Sequence, residues 1–230
     1  MIELRRCEAL RIARLFLGLF ITSLGIVMTV HANIGAPPWD VFHLGAARHM
    51  GWTLGAANIV TAVVIVLASA MMKEFIGLGT LCNMIAIGAF IDLIRFLRWV
   101  RFAVSFEGGA MMMIAGLFVV AVGGVAYMGA GYGFGPRDSL MVAMAKRTGR
   151  TAGFCRCCME AAALFAGWLL GERVGIGALI AAFGQGIAIQ IVFSLLRFDV
   201  KKIHNESFVE TCRRLFSRFA SKDKGAADRR

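Results

Sequence analysis

Asp40 ends the stretch Gly35-Ala-Pro-Pro-Trp-Asp40, and Asp138 ends Gly133-Phe-Gly-Pro-Arg-Asp138. Each carboxylate comes two residues after a proline and lies between long apolar runs. A carboxylate at membrane depth is costly; where one persists it takes up protons, holds cations or orients a polar solute. The two motifs differ beside the aspartate, where Trp39 in the first is matched by Arg137 in the second. A guanidinium there can neutralise an anion, and an indole can stack on a ring or anchor at the membrane interface. Glu160 lies inside another apolar run. It reads as an ion pair with Arg156, one helical turn earlier, or as a carboxylate that couples protons or ions. Asp92, near Arg95, reads as an interfacial pair or as a second coupling group. Asn83, Gln185 and Gln190 suit interhelical hydrogen bonds or substrate contact.

These residues need particular elements to hold them. Proline is tolerated at the first position of a helix, so Pro38 and Pro136 predict helix starts. Asp40 and Asp138 then fall in the first turn, facing free backbone N–H groups and the positive end of the helix dipole. The glycines before them allow a sharp turn. The bland reading is a helix-start device. The sharper one is a pair of half-helices that wall a site, since irregular backbone at membrane depth survives where it is buried in protein or lines a cavity.

The motif recurs because a longer unit recurs. Shifting the chain by 98 residues brings Gly18, Gly25, Gly35, Gly51, Gly55, Gly77, Gly79 and Gly88 onto Gly116, Gly123, Gly133, Gly149, Gly153, Gly175, Gly177 and Gly186. Eight of the nine glycines between residues 14 and 91 recur this way, against about two by chance. Pro38 and Asp40 fall on Pro136 and Asp138. Val30-His31-Ala32 resembles a leader-peptide cleavage site, but the repeat makes the first apolar run a partner of a later one and so part of the fold.

Each unit reads as a span (about 11–33 and 109–131), the Gly/Pro element, a short helix (38–50 and 136–148), a second span (about 53–72 and 151–171) and a third (about 77–98 and 175–196). Thirteen helical residues cover roughly 20 Å, less than the roughly 30 Å hydrocarbon core. If the short helices do not cross, there are six spans and the second unit is inverted relative to the first. If they cross, there are eight spans and parallel units. The Lys/Arg distribution leans weakly towards eight. Arg137, Asp138, Lys146 and Arg147 make the second short helix a poor lipid-exposed crossing and favour six.

Composition agrees with an all-α polytopic membrane protein. Of 230 residues, 59% are hydrophobic, more than a soluble domain of this size covers. Residues 1–196 read as one membrane domain of two repeats (about 11–98 and 109–196), and 197–230 as a basic tail. Arg5, Arg6, Arg11 and Arg14 precede the first span, and the tail holds ten Lys/Arg against five Asp/Glu, which places both ends in the cytoplasm. In the tail, Phe208, Cys212, Leu215, Phe216 and Phe219 alternate with Arg213, Arg214 and Arg218 as in a basic amphipathic helix, suited to anionic lipid or to a protein partner rather than to nucleic acid. Homo-oligomerisation stays open.

The six cysteines form no disulfide framework. Cys155, Cys157 and Cys158 have no histidine nearby and read as small residues packing a helix interface. His31, His43, His49 and His204 are scattered. No nucleophile–base pattern, phosphate loop or cofactor motif is visible, so neither an enzyme nor a cofactor is expected.

Several motifs occur in an order that resembles the YczE/YyaS/YitT group of bacterial integral membrane proteins, its YczE type in particular. They are Gly35-Ala-Pro-Pro-Trp-Asp40, Gly77-Leu-Gly-Thr80 with Asn83, Asp92, Gly135-Pro-Arg-Asp138, Arg147-Thr-Gly149, Glu160 and Gly175-Ile-Gly177. The resemblance covers about residues 11–196 and departs at Ala178, where a second threonine is typical. It implies a plasma-membrane location and a multi-pass helical fold; transport is the activity usually ascribed to the group. The expected function is a small-molecule or ion permease with a cavity between the repeats. Trp39, Asp40, Asn83, Arg137, Asp138 and Gln185 would bind substrate, and Glu160 and Asp92 would couple it to an ion. Arg137 and the helix starts lean towards an anionic or zwitterionic substrate, and the aspartates against it. The alternative is a non-transporting scaffold or regulatory partner that works through its tail.

Overall fold

The computed structural model describes residues 2–72, 77–133, 135–150 and 152–197. The predicted amphipathic tail, with Phe208 to Phe219, lies outside the described residues. Those residues form eight α-helices and no strand: α1 (Ile2–His31), α2 (Pro38–Met50), α3 (Leu54–Met71), α4 (Leu78–Phe96), α5 (Phe106–Met128), α6 (Pro136–Thr148), α7 (Ala152–Leu169) and α8 (Ile176–Leu195). The short helices begin at Pro38 and Pro136, and both stop at a left-handed glycine, Gly51 and Gly149, each with φ 67°. Only glycine takes that conformation at little cost. Hydroxyl caps start α3 and α5, where Thr53 accepts from the Ala56 N–H and Ser105 from that of Gly108.

α1 and α5 form the central seam and run antiparallel. Gly18 faces Gly123 and Gly25 faces Gly116, and a Cβ at Gly18, Gly25 or Gly123 would collide with the opposite backbone. This is membrane-type packing, in which small residues let backbones touch. The ends agree with the direction. Ala103 N–H donates to the His31 carbonyl at 2.9 Å, and the Arg11 side chain donates to the Ala130 carbonyl at 3.0 Å. α4 packs on α1, and α8 packs on α5. α2 lies against α7 and α6 against α3, so each short helix is held by the span after the other one.

One buried apolar cluster joins Leu19 and Val27 of α1 to Leu54, Ile91 and Ile94 of α3 and α4; another joins Met113 and Leu117 of α5 to Ala181, Ala188 and Val192 of α8. Elsewhere apolar stripes face outward: Val60, Val64 and Leu67 on α3, and Leu179, Phe183, Ile187 and Ile191 on α8. Such stripes at helical spacing match a hydrocarbon solvent, and the protein is a multi-pass membrane protein. Five helices are long and apolar enough to cross: residues Ala9–His31 of α1, α3, α4, α5 and α8. The described part of α7, the helix expected as a further span, is not among them; it carries Arg156 and Glu160 within an apolar run.

The expected cysteine packing on α7 is corrected in part. Cys155 is buried, 3.8 Å from the Thr148 hydroxyl, while Cys157 and Cys158 are exposed.

Candidate functional site

The path into each short helix is set by the chain segment before it. Residues 32–37 and 129–133 cross the starts of α8 and α4 at close range. The Ile34 carbonyl accepts from Gly177 N–H at 2.9 Å, and the Tyr132 carbonyl accepts from Gly79 N–H at 2.7 Å. Residues 34 and 132 are 98 apart, as are 177 and 79, so the two bonds are one bond made twice with the copies exchanged. Gly35 (φ 112°) sits against Gly175, and Gly133 (φ 117°) against Gly77. Any side chain at these crossings would meet backbone and would disfavour the dihedral.

These crossings let the starts of α2 and α6 meet, and a cavity of about 400 Å³ opens between them. Trp39, Asp40, Asn83, Arg137, Asp138, Glu160 and Gln185, singled out from the sequence, all line it. Apolar wall comes from Ile26 of α1, Ile65 of α3, Leu117 of α5 and Ile189 of α8. Asp92 is elsewhere. It sits at the start of α3, where its carboxylate accepts from the Thr53 hydroxyl and, at 2.9 Å, from Gly55 N–H. Asp92 thus clasps α4 to the start of α3, apart from the cavity. Gln190 is exposed and also outside the lining.

Inside the cavity the charges are arranged as follows. The Arg137 guanidinium lies 4.8 Å above the Trp39 ring, so Trp39 stacks on protein rather than anchoring at an interface. Arg156 donates to Asp138 at 3.2 Å and stands 4.0 Å from Glu160. The predicted Arg156–Glu160 pair is therefore secondary to a longer-range one that bridges α7 and α6. The N-cap residues of these helices, Pro37 and Gly135, provide no side-chain cap. Asp138 is turned to Arg156. Asp40 Oδ1 lies 3.4 Å from His43 Nδ1, close enough for an ion pair but off the line of a hydrogen bond, and it has no hydrogen-bond partner.

Polar lining residues that were not among the site candidates include His43, Asn58, Tyr127 and Arg156. His43 had a signal, since it follows Asp40 by three residues and so shares its helix face. Asn58 Nδ2 is 3.5 Å from His43 Nδ1 and had no such marker. Among the described residues no three His, Cys, Asp or Glu side chains cluster in a way that could hold a metal ion.

Comparison with known proteins adds a family without an activity. A family model described as "Family of unknown function (DUF6198)" matches residues 9–194. The chain is 34% identical over 182 residues to "Uncharacterized membrane protein YczE" of Bacillus subtilis, covering 78% of this chain and 83% of that protein. It is 26% identical over 185 residues to an "Uncharacterized protein" of Haemophilus influenzae, covering 80% and 84%. It is 25% identical over 185 residues to "Uncharacterized protein YyaS" of Bacillus subtilis, covering 78% and 90%. No solved structure matches it.

Proposed function

We propose that this chain, which belongs to the DUF6198 family of unknown function, is a small-molecule or ion permease of the plasma membrane rather than an enzyme. One observation carries the reading. Two short helices that start with Pro-x-Asp phrases meet at a cavity of about 400 Å³, and charged side chains from both copies line it. Charged groups within a helical membrane protein are expensive and accumulate where a solute or ion passes. Two non-crossing half-helices facing one site between repeats suit alternating access.

In this reading the two units are inverted repeats related by an axis in the membrane plane. Support comes from the antiparallel packing of α1 on α5 and from the exchanged Ile34–Gly177 and Tyr132–Gly79 bonds. Both termini lie in the cytoplasm, on the strength of their Lys/Arg excess. Trp39, Asp40, Asn83, Arg137, Asp138 and Gln185 contact substrate, and Glu160 couples its passage to an ion.

Uptake into proteoliposomes, screened with labelled solutes for the wild type and for Asp138→Asn, tests the proposal. Asp138→Asn should abolish uptake while folded protein is recovered at the wild-type level. Unchanged uptake rejects the role of Asp138. Absence of uptake of any solute by the wild type would favour a scaffold acting through residues 197–230.

A further inference from the structure

Five charged side chains line the cavity: the carboxylates of Asp40, Asp138 and Glu160, and the guanidiniums of Arg137 and Arg156. With all of them ionised and His43 neutral, the wall carries one negative charge in excess. Arg156 is committed to Asp138, and Arg137 rests on Trp39. That leaves two carboxylates, Asp40 of α2 and Glu160 of α7, facing the single guanidinium of Arg137.

The side that α2 provides also has unmet hydrogen-bonding capacity. Asp40 and His43 are 4% and 1% exposed, and Asp40 Oδ1 and His43 Nε2 are buried with no partner. A buried polar atom without a partner is uncommon and calls for a missing ligand, ion or proton. A carboxylate oxygen can only accept. With the Asn58 amide turned to present its oxygen to His43, the imidazole proton sits on Nδ1, which also faces Asp40, and Nε2 is an acceptor as well. In that tautomer both atoms are acceptors, in a cavity wall with one negative charge in excess, and a positively charged donor answers both.

We infer that the cavity takes a cation bearing N–H donors, a primary ammonium or guanidinium compound, held by Asp40 and His43. The inference rests on reading the cavity as the substrate site, and it narrows the substrate class. It reverses the lean towards an anion suggested by Arg137 and the helix starts, because both guanidiniums already have partners within the wall.

The test is thermal unfolding of the full-length protein in detergent with four probes: putrescine, agmatine, tetramethylammonium and succinate. Putrescine or agmatine should raise the melting temperature saturably, since a ligand of the folded state stabilises it by mass action. Tetramethylammonium, a cation without N–H donors, and succinate should not. Asp40→Asn should weaken binding of the amine at least about tenfold. If Asp40→Asn does not fold, His43→Gln should show the same loss. The inference is overturned if neither amine shifts the wild type, if tetramethylammonium or succinate shifts it equally, or if the folded variant binds as well as the wild type. Amine binding without proteoliposome uptake would remove the transport reading and keep this one. Uptake of an anion without amine binding would do the reverse.

Discussion

The Arg137 guanidinium lies 4.8 Å from the centroid of the Trp39 ring, and these two residues hold the same place in the two copies of one motif, 98 positions apart. The position at which the copies differ most in chemistry is thus the position at which they touch. An arginine in both motifs would bring two guanidiniums together, and a tryptophan in both would remove a positive charge from a wall rich in carboxylates.

Arg137→Lys keeps the charge and loses the planar face, so it should cost about 1 kcal/mol of stability. Trp39→Leu should cost at least as much, because it removes the ring on which Arg137 rests. Thermal unfolding of the two variants reads both effects. An Arg137→Lys protein as stable as the wild type would show that the stacking contributes nothing.

The Arg156–Asp138 bond joins α7 to α6 across a partly exposed gap. A double-mutant cycle with Arg156→Gln and Asp138→Asn should return a coupling of about 1 kcal/mol. Additive single changes would mean that the two groups do not act together.

Asp92 holds the start of α3 through Thr53 and Gly55, outside the cavity. Asp92→Asn should lower stability by about 1–2 kcal/mol, in keeping with bonds to a charged acceptor. Whatever solute the wild type carries, uptake per folded molecule should be unchanged. A selective loss of uptake would restore Asp92 as a coupling group.

The α1–α5 seam tolerates no added volume. Gly25→Leu should prevent recovery of folded protein, as the new side chain would occupy the place of Val120 and the Gly116 carbonyl. Gly186→Ala, where a Cβ meets open space, should be neutral or stabilising by about 0.5–1 kcal/mol. Yield and monodispersity in detergent separate the two.

Single cysteines at positions 49 and 147, in a background without native cysteines, should label from opposite faces of the membrane. Both side chains are exposed, at the ends of α2 and α6. Labelling of both from the cytoplasm would replace inversion with parallel units and eight crossings.

Much of the frame was legible because glycine and proline act locally. Pro38 and Pro136 fix helix starts, and Gly51 and Gly149 fix helix ends, so α2 and α6 have the bounds expected of them. Apolar runs marked the long helices for a similar reason. Which charges pair was less legible. Arg156 lies four residues before Glu160, the spacing of a helical pair, yet it prefers Asp138 on another helix. Asp92 looked like a partner for Arg95 and instead clasps α3. The free valences of Asp40 and His43 appear only once α2 is packed, because burial decides whether water serves them.

The paired bonds from Gly177 to Ile34 and from Gly79 to Tyr132 have a consequence for assembly. Each half of the chain carries a loop whose carbonyl is met only by the other half. A polypeptide of residues 1–103 alone would leave the amides at the start of α4 unanswered, and the glycine seam of α1 without its facing helix. Such a fragment could close only by meeting a second copy turned the other way up. On the inverted-repeat reading, the covalent link between α4 and α5 delivers two opposed orientations from one translation product, in a fixed one-to-one ratio. Cutting the gene at that link and co-producing the pieces should rebuild the protein, whereas either piece alone should be degraded.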